Sequence, residues 1–116
     1  MAKLVLLVDD DRDIREALSS ILESEGYAVA QARDGLEALA QARAGPPDLI
    51  ILDLMMPNMN GWEFRSAQQR DAILADVPVV VVSGTVSRLE ELKPAAYLVK
   101  PFNLGLFLAT VERLAA

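Results

Sequence analysis

Four points along this chain put reactive side chains directly after an apolar run. Leu4 to Val8 runs into Asp9, Asp10 and Asp11; Leu49 to Leu52 ends in Asp53; Val77 to Val82 ends in Ser83 and Gly84; Ala96 to Val99 ends in Lys100 and Pro101. If the first and third runs are neighbouring strands, Asp9, Asp10 and Asp53 converge. Carboxylates packed together raise one another's pKa, and a bound cation relieves the repulsion. The chain has no cysteine and no histidine, so an all-oxygen site points to a hard ion, Mg2+ before Ca2+. A carboxylate held beside Mg2+ can act as a nucleophile toward a phosphoryl group and become an aspartyl phosphate. Lys100 would offer a mobile positive charge and Ser83 a hydroxyl to the oxygens being transferred. Taken singly, each residue has a plainer reading. An Asp after a strand is often a helix cap, which is how Asp11 reads, and a lone Ser or Lys-Pro after a strand is often a turn. The weight lies in all four groups falling at the carboxyl ends of buried strands.

Those strands are separated by helix-period segments. Ile14, Ala17, Leu18, Ile21 and Leu22 form the apolar stripe of a first helix stopped by Gly26. Tyr27 to Ala32 reads as a second strand. Asp34 and Glu37 read as a capping box opening a second helix, with Leu36, Leu39 and Ala40 on one face, and Gly45-Pro46-Pro47 breaks it. Asn60 with Glu63 opens a third helix after the loop 57–61. Residues 87–93 have room for two helical turns at most before Pro94. Asn103 caps a last helix that turns Leu104, Phe107, Leu108, Val111 and Leu114 inward. Five strand–helix repeats imply an α/β domain with a parallel sheet covered on both faces, and ligands of such folds bind beyond the carboxyl ends of the strands.

The 116 residues fit one domain, and 53% apolar content suffices for its core. A net charge of −6 speaks against direct nucleic-acid binding. No apolar run is long enough to cross a bilayer, and the start runs into three aspartates where a signal peptide would carry a longer apolar region. The expectation is a cytoplasmic protein. Trp62 and Phe64 read first as packing residues, with Trp62 the candidate for a partner contact. Met55, Met56 and Met59 either form an adaptable contact surface or cover the core beside the site. Phe102 and Leu106 fall off the inward stripe of the last helix, leaving one available for docking, and Glu90 and Glu91 read as a solvated face.

The segments VLLVDDDRDIREAL, DGLEAL, PDLIILDLMMPNMNGWEF, VPVVVVSG and AYLVKPF, in this order, resemble the receiver domain of bacterial two-component response regulators over essentially the whole chain, 1–116. The resemblance implies a flavodoxin-like, doubly wound (βα)5 fold with a five-stranded parallel sheet in the order 2-1-3-4-5. It implies that Asp53 is the phosphoacceptor, that Asp10, Asp53 and the Met55 backbone carbonyl bind Mg2+, and that Asp9 holds the ion through water. Lys100 would pair with Asp53 and then with the phosphoryl oxygens, through a cis Lys100-Pro101 bond. Ser83 would be the switch hydroxyl, Gly84 would leave room for the phosphoryl group, and Tyr97 would be the switch aromatic. The implied donor is a phosphohistidine on a sensor histidine kinase or a histidine phosphotransfer protein. Output would pass through an unidentified downstream protein, with a homodimer as one way to deliver it. One feature departs from the family: the stretch from Ser83 to Lys100 is short by roughly five residues, more than one helical turn. The fourth helix should therefore be stunted, displaced or irregular, which puts the usual output and dimerisation face, and Tyr97 as a switch, in doubt. Two other functions compete. A degenerate receiver would serve as a phosphorylation-independent scaffold. A haloacid-dehalogenase-like phosphatase would need a second Asp two residues after the nucleophile, where this chain has Met55, and a cap domain. A dinucleotide binder would need a glycine-rich loop after the first strand, which is absent.

Overall fold

The computed structural model describes residues 2–84 and 89–115. Its elements alternate throughout: β1 (Leu4–Val8), α1 (Arg12–Ser24), β2 (Ala28–Ala32), α2 (Gly35–Ala44), β3 (Leu49–Leu52), α3 (Gly61–Gln69), β4 (Val79–Ser83), α4 (Leu89–Leu92), β5 (Ala96–Val99) and α5 (Leu104–Ala115). The five strands pair in parallel in the order β2-β1-β3-β4-β5. β1, β3 and β4 occupy the middle of the sheet, which is why they read as unbroken apolar runs: a central parallel strand is covered on both faces. Alternate residues divide between two cores. Leu6, Val8, Ile50, Leu52, Val79 and Val81 pack with Phe64, Leu74 and Leu92 on one face. Val5, Leu7, Leu49, Ile51, Val80 and Val82 pack with Leu22, Phe107 and Val111 on the other.

Helix starts follow their caps. Asp11 Oδ1 accepts from the N–H groups of Asp13 (3.0 Å) and Ile14 (3.2 Å). Asn60 and Glu63 form a complete capping box at α3, and Asn103 Oδ1 accepts from the Leu106 N–H at 3.0 Å. At α2 only half of the expected box forms. Asp34 caps the Glu37 N–H at 2.9 Å, but Glu37 Oε1 accepts from the Arg33 N–H, one residue before the cap.

Several faces differ from their sequence patterns. The buried side of α2 is Gly35, Ala38, Leu39 and Ala42. Leu36 is 54% exposed and Ala40 also faces solvent, because the helix turns Gly35 onto Met59 and Ala38, Leu39 and Ala42 into the core. Ala17, in the middle of α1, and Leu104, the first residue of α5, are exposed too. β2 and β4 begin at Ala28 and Val79, one and two residues later than the apolar runs suggest. The short fourth helix is present as the single turn Leu89–Leu92; residues 87 and 88 of the expected helix lie outside the described residues. Among the described residues, no helix is long and apolar enough to cross a membrane.

Candidate functional site

The order of the sheet brings the ends of β1 and β3 side by side. Val8 pairs with Leu52, and the Asp53 N–H donates to the Val8 carbonyl at 2.9 Å. Asp9 and Asp53 thus start from adjacent backbone positions. One oxygen from each of Asp9, Asp10 and Asp53 falls within 4.8 Å of the others. Asp9 and Asp53 are buried, and Asp10 is exposed. Burial and this proximity make it costly for both Asp9 and Asp53 to carry a negative charge.

Asp9 is held on every side. Its Oδ1 accepts from the Asp11 N–H at 2.9 Å, its carbonyl accepts from Arg15 Nη1 at 2.7 Å, and its Oδ2 accepts from Lys100 Nζ at 3.0 Å. Lys100 Nζ also stands 3.5 Å from Asp53 Oδ2. The resemblance led to the expectation of an Asp53–Lys100 pair; the lysine bridges both carboxylates and sits nearer Asp9. The Lys100-Pro101 bond is cis.

Burial, and next the charge of Asp9, push the Asp53 carboxyl up to about 6, against the opposing pull of Lys100 and of the Met55 and Leu54 N–H groups. Burial alone would lower the Lys100 pKa. The hydrogen bond that Lys100 donates to Asp9 and the charge of Asp53 outweigh it, so the net shift is upward and the group remains an ammonium. The site is therefore short of positive charge by its own residues. Three carboxylates face one ammonium, and the buried Asp53 carboxyl is pushed up to about 6. A hard divalent cation meeting these oxygens would relieve that imbalance, so the donor set fits Mg2+.

Ser83 closes β4, is buried, and lies opposite Val99 in the sheet. Its carbonyl accepts from the Lys100 N–H at 2.9 Å, which fixes the two residues to each other through their backbones. Because Leu52 pairs with Val81, Ser83 stands one residue beyond the level of Asp53 on the neighbouring strand. Gly84 is exposed, and a Cβ there would meet no atom of the described residues within 4 Å. Tyr97 pairs with Val81 in the middle of β5, with its side chain 53% exposed. Met55 follows Asp53 by two residues, with its N–H on the Asp53 carboxylate and its side chain exposed. Met56, Met59 and Trp62 are partly buried against the core of the β3–α3 side. Phe102 stacks on Phe107 with centroids 5.4 Å apart, and Leu106 is the exposed member of that pair of candidates.

Sequence reasoning missed three features that hold the site. The first is the close approach of α3 to Asp53. A Cβ on Gly61 would lie 2.7 Å from the Asp53 carbonyl oxygen and from Leu54 Cα, so only glycine lets the helix start there. The second is a link from Asp34 to Asn58. The third is the buried Arg65. Its Nε donates to the Leu92 carbonyl at 2.7 Å, its Nη2 to the Lys93 carbonyl at 2.8 Å, and its Nη1 to Gln68 Oε1 at 2.8 Å. Gln68 in turn donates to the carbonyls of Leu74 and Val77. Arginine on an otherwise ordinary helix face gives no sign in sequence that it is buried. The Asn60–Glu63 box, which was legible, marks only where this helix begins.

Comparison with known proteins agrees with this geometry. The sequence model of the family described as the response regulator receiver domain matches residues 5–112. Response regulator MprA of Mycobacterium tuberculosis H37Rv is 39% identical over 98% of this chain and 51% of its own length. The DNA-binding dual master transcriptional regulator RpaA of Synechocystis is 38% identical over 95% of this chain and 48% of its own. The chain thus spans about half the length of these curated relatives. Among solved structures, the chemotaxis response regulator CheY4 of Vibrio cholerae superposes with a TM-score of 0.90 at 36% identity, covering 98% of this chain and 99% of that one. The response regulator TrrA of Thermotoga maritima, solved in complex with Mg2+-BeF, gives a TM-score of 0.86 at 33% identity over 97% of this chain and 98% of that one.

Proposed function

The chain belongs to the response regulator receiver domain family, and on that premise we propose that Asp53 is its phosphoacceptor and that Asp9, Asp10, Asp53 and the Met55 carbonyl form its Mg2+ site. It is a signalling domain with the phosphoacceptor role of two-component systems. The observation that carries the residue assignment is the buried Asp53 carboxylate, within 4.8 Å of Asp9 and Asp10 oxygens and 3.5 Å from Lys100 Nζ.

Asp10 and Asp53 would bind the ion through their side chains, and Asp9 through water. Bound there, Mg2+ would neutralise the site and draw the phosphoryl oxygens toward Asp53. An Asp53 carboxylate oxygen forms the new O–P bond as the P–N bond to the donor imidazole breaks. The electron pair leaves on that nitrogen, which takes up a proton. Lys100 stays charged because of Asp9 and supplies a fixed counter-charge for the transferred oxygens. Ser83 would then donate its hydroxyl to the phosphoryl group, and Tyr97, now outward, would turn in behind it.

The donor is a phosphohistidine on a sensor histidine kinase or histidine phosphotransfer protein, since this chain has no histidine. The domain promotes only its own phosphorylation and dephosphorylation, in the cytoplasm. We read residues 1–116 as one receiver domain.

Intact-protein mass after incubation with acetyl phosphate and Mg2+ tests this. The expected result is a gain of one phosphoryl group that is lost on chelation and in Asp53→Asn. Normal incorporation by Asp53→Asn would overturn the assignment of the phosphoacceptor.

A further inference from the structure

The turn between Asp53 and α3 contains an uncommon backbone conformation. Asn58 has φ 64°, in the left-handed region that asparagine tolerates better than most residues. It sits at the centre of a tight turn closed by the Met59 N–H on the Pro57 carbonyl at 2.7 Å. Such a conformation persists where its surroundings impose it. Here the surroundings are the start of α2. Asp34 divides its two carboxylate oxygens: Oδ1 caps the Glu37 N–H at 2.9 Å, while Oδ2 accepts from Asn58 Nδ2 at 2.8 Å. Beside it, the Gly35 N–H donates to the Met59 carbonyl at 2.9 Å. A Cβ on Gly35 would come within 2.7 Å of that carbonyl oxygen. Asp34 is buried, and its carboxyl is held below the ordinary value by the Glu37 N–H and then by Asn58.

Helix capping uses one oxygen of Asp34. The second reaches across to a segment 24 residues later, where it adds nothing to the helix. What it fastens is the turn that contains Met55. That turn is anchored at its other end by the Gly61 N–H on the Leu54 carbonyl at 2.9 Å.

We propose that Asp34 and Asn58 are positioning residues for the Mg2+ site: their hydrogen bond holds the 54–60 turn so that the Met55 backbone stays in place beside Asp53. The inference rests on the metal-site reading given above. α2 thereby acts on metal affinity from outside the ligand set.

Three variants separate this contact from the cap. Asn58→Gly keeps the left-handed turn accessible and removes the amide. Asp34→Ser keeps a good N-cap but is too short to reach Asn58. Asp34→Asn keeps the cap and, with the Asn58 amide turned over, keeps the bond as well. Both Asp34 variants lose the same charge, so their difference isolates the bond. The readout is Mg2+ titration of the unphosphorylated protein by 1H–15N NMR, following the amides of Asp9, Asp10, Asp53 and Met55.

The expected result is a Kd raised about threefold to tenfold in Asn58→Gly and Asp34→Ser, and within about twofold of wild type in Asp34→Asn, less than for a direct partner of a metal ligand. Folded Asn58→Gly and Asp34→Ser proteins with the wild-type Kd would overturn the inference and leave the metal site standing. An Asp34→Asn Kd as weak as that of Asp34→Ser would also overturn it, by assigning the effect to charge. A wild-type protein with no Mg2+-dependent shifts at Asp9, Asp10 or Asp53 would instead remove the metal-site reading, and this inference with it.

Discussion

The turn after Asp53 and the segment leading into β5 lie at opposite edges of the parallel sheet, the first beyond the end of β3 and the second before the start of β5, and are secured by opposite means. The first is fixed by backbone. Asp53 and Leu54 are gripped by Val8 and Gly61, Met59 by Gly35, and α3 opens on a complete capping box. The second has a helix of one turn, Leu89–Leu92, followed by Lys93 at φ 46° and then Pro94, which cannot extend it. A helix that short has no internal ladder to hold it. Its C-terminal carbonyls are instead satisfied by one side chain, Arg65, reaching over from α3. Apart from the Asp34–Asn58 bond and that capping box, these contacts at the phosphoacceptor run through backbone, and they leave almost no space for added atoms at Gly35 and Gly61. The α4 region has the reverse sensitivity. α3 joins the two regions, since it starts at the pinned turn and carries Arg65 one turn later.

The largest effect expected from this contrast comes from Arg65→Ala. It would leave the Leu92 and Lys93 carbonyls without that donor and Gln68 without its partner, at a cost of about 3 kcal/mol in urea unfolding. Mg2+ affinity should stay near that of wild type, because no atom of Arg65 is part of the acidic site. A stability loss under about 0.5 kcal/mol, the range of ordinary surface substitutions, would mean that α4 does not depend on this side chain.

Gly61→Ala should come next, at about 2 kcal/mol, because its Cβ would meet backbone atoms that cannot rotate away. Unlike Arg65→Ala, it should also weaken Mg2+ binding and phosphoryl uptake, since the atoms it displaces belong to Asp53 and Leu54. If both variants lost stability and metal affinity in the same proportion, the two regions would be one cooperative unit and the contrast would fail.

The smallest effect concerns pH. The raised pKa of Asp53, about 6, means that the metal-free native state holds a proton that the unfolded chain has already released. The contribution of Asp53 to stability is then greatest below the ordinary carboxylate range, falls as pH rises toward 6, and levels off above it. The size should be on the order of 1 kcal/mol after allowing for screening at the open edge of the site. Unfolding measured on both sides of this window should show the fall in wild type and a flatter profile in Asp53→Asn. A fall of equal size in the variant would place its origin elsewhere.

The strands were legible because three of them are central and parallel, and burial on both faces leaves a run that admits few other readings. The end-of-strand acids, Ser83 and Lys100 were legible for the same reason: a parallel sheet collects at one edge whatever follows its strands. Helix faces were read less well. Leu36, Leu39 and Ala40 fit a helical stripe, yet of these α2 buries only Leu39, together with Gly35, Ala38 and Ala42. A close approach to Met59 at Gly35 set the rotation of the helix, and hydrophobicity alone does not report that.

Sequence by itself determined the order of elements, the shortened fourth helix and the residue types that meet at the site, since periodicity, caps and breakers act over a few residues. Tertiary structure alone decided that Lys100 bridges Asp9 and Asp53, that Asp34 reaches Asn58, and that Arg65 secures α4. Each of those contacts joins residues at least 24 positions apart, where the partner is chosen by which surfaces the folded sheet presses together.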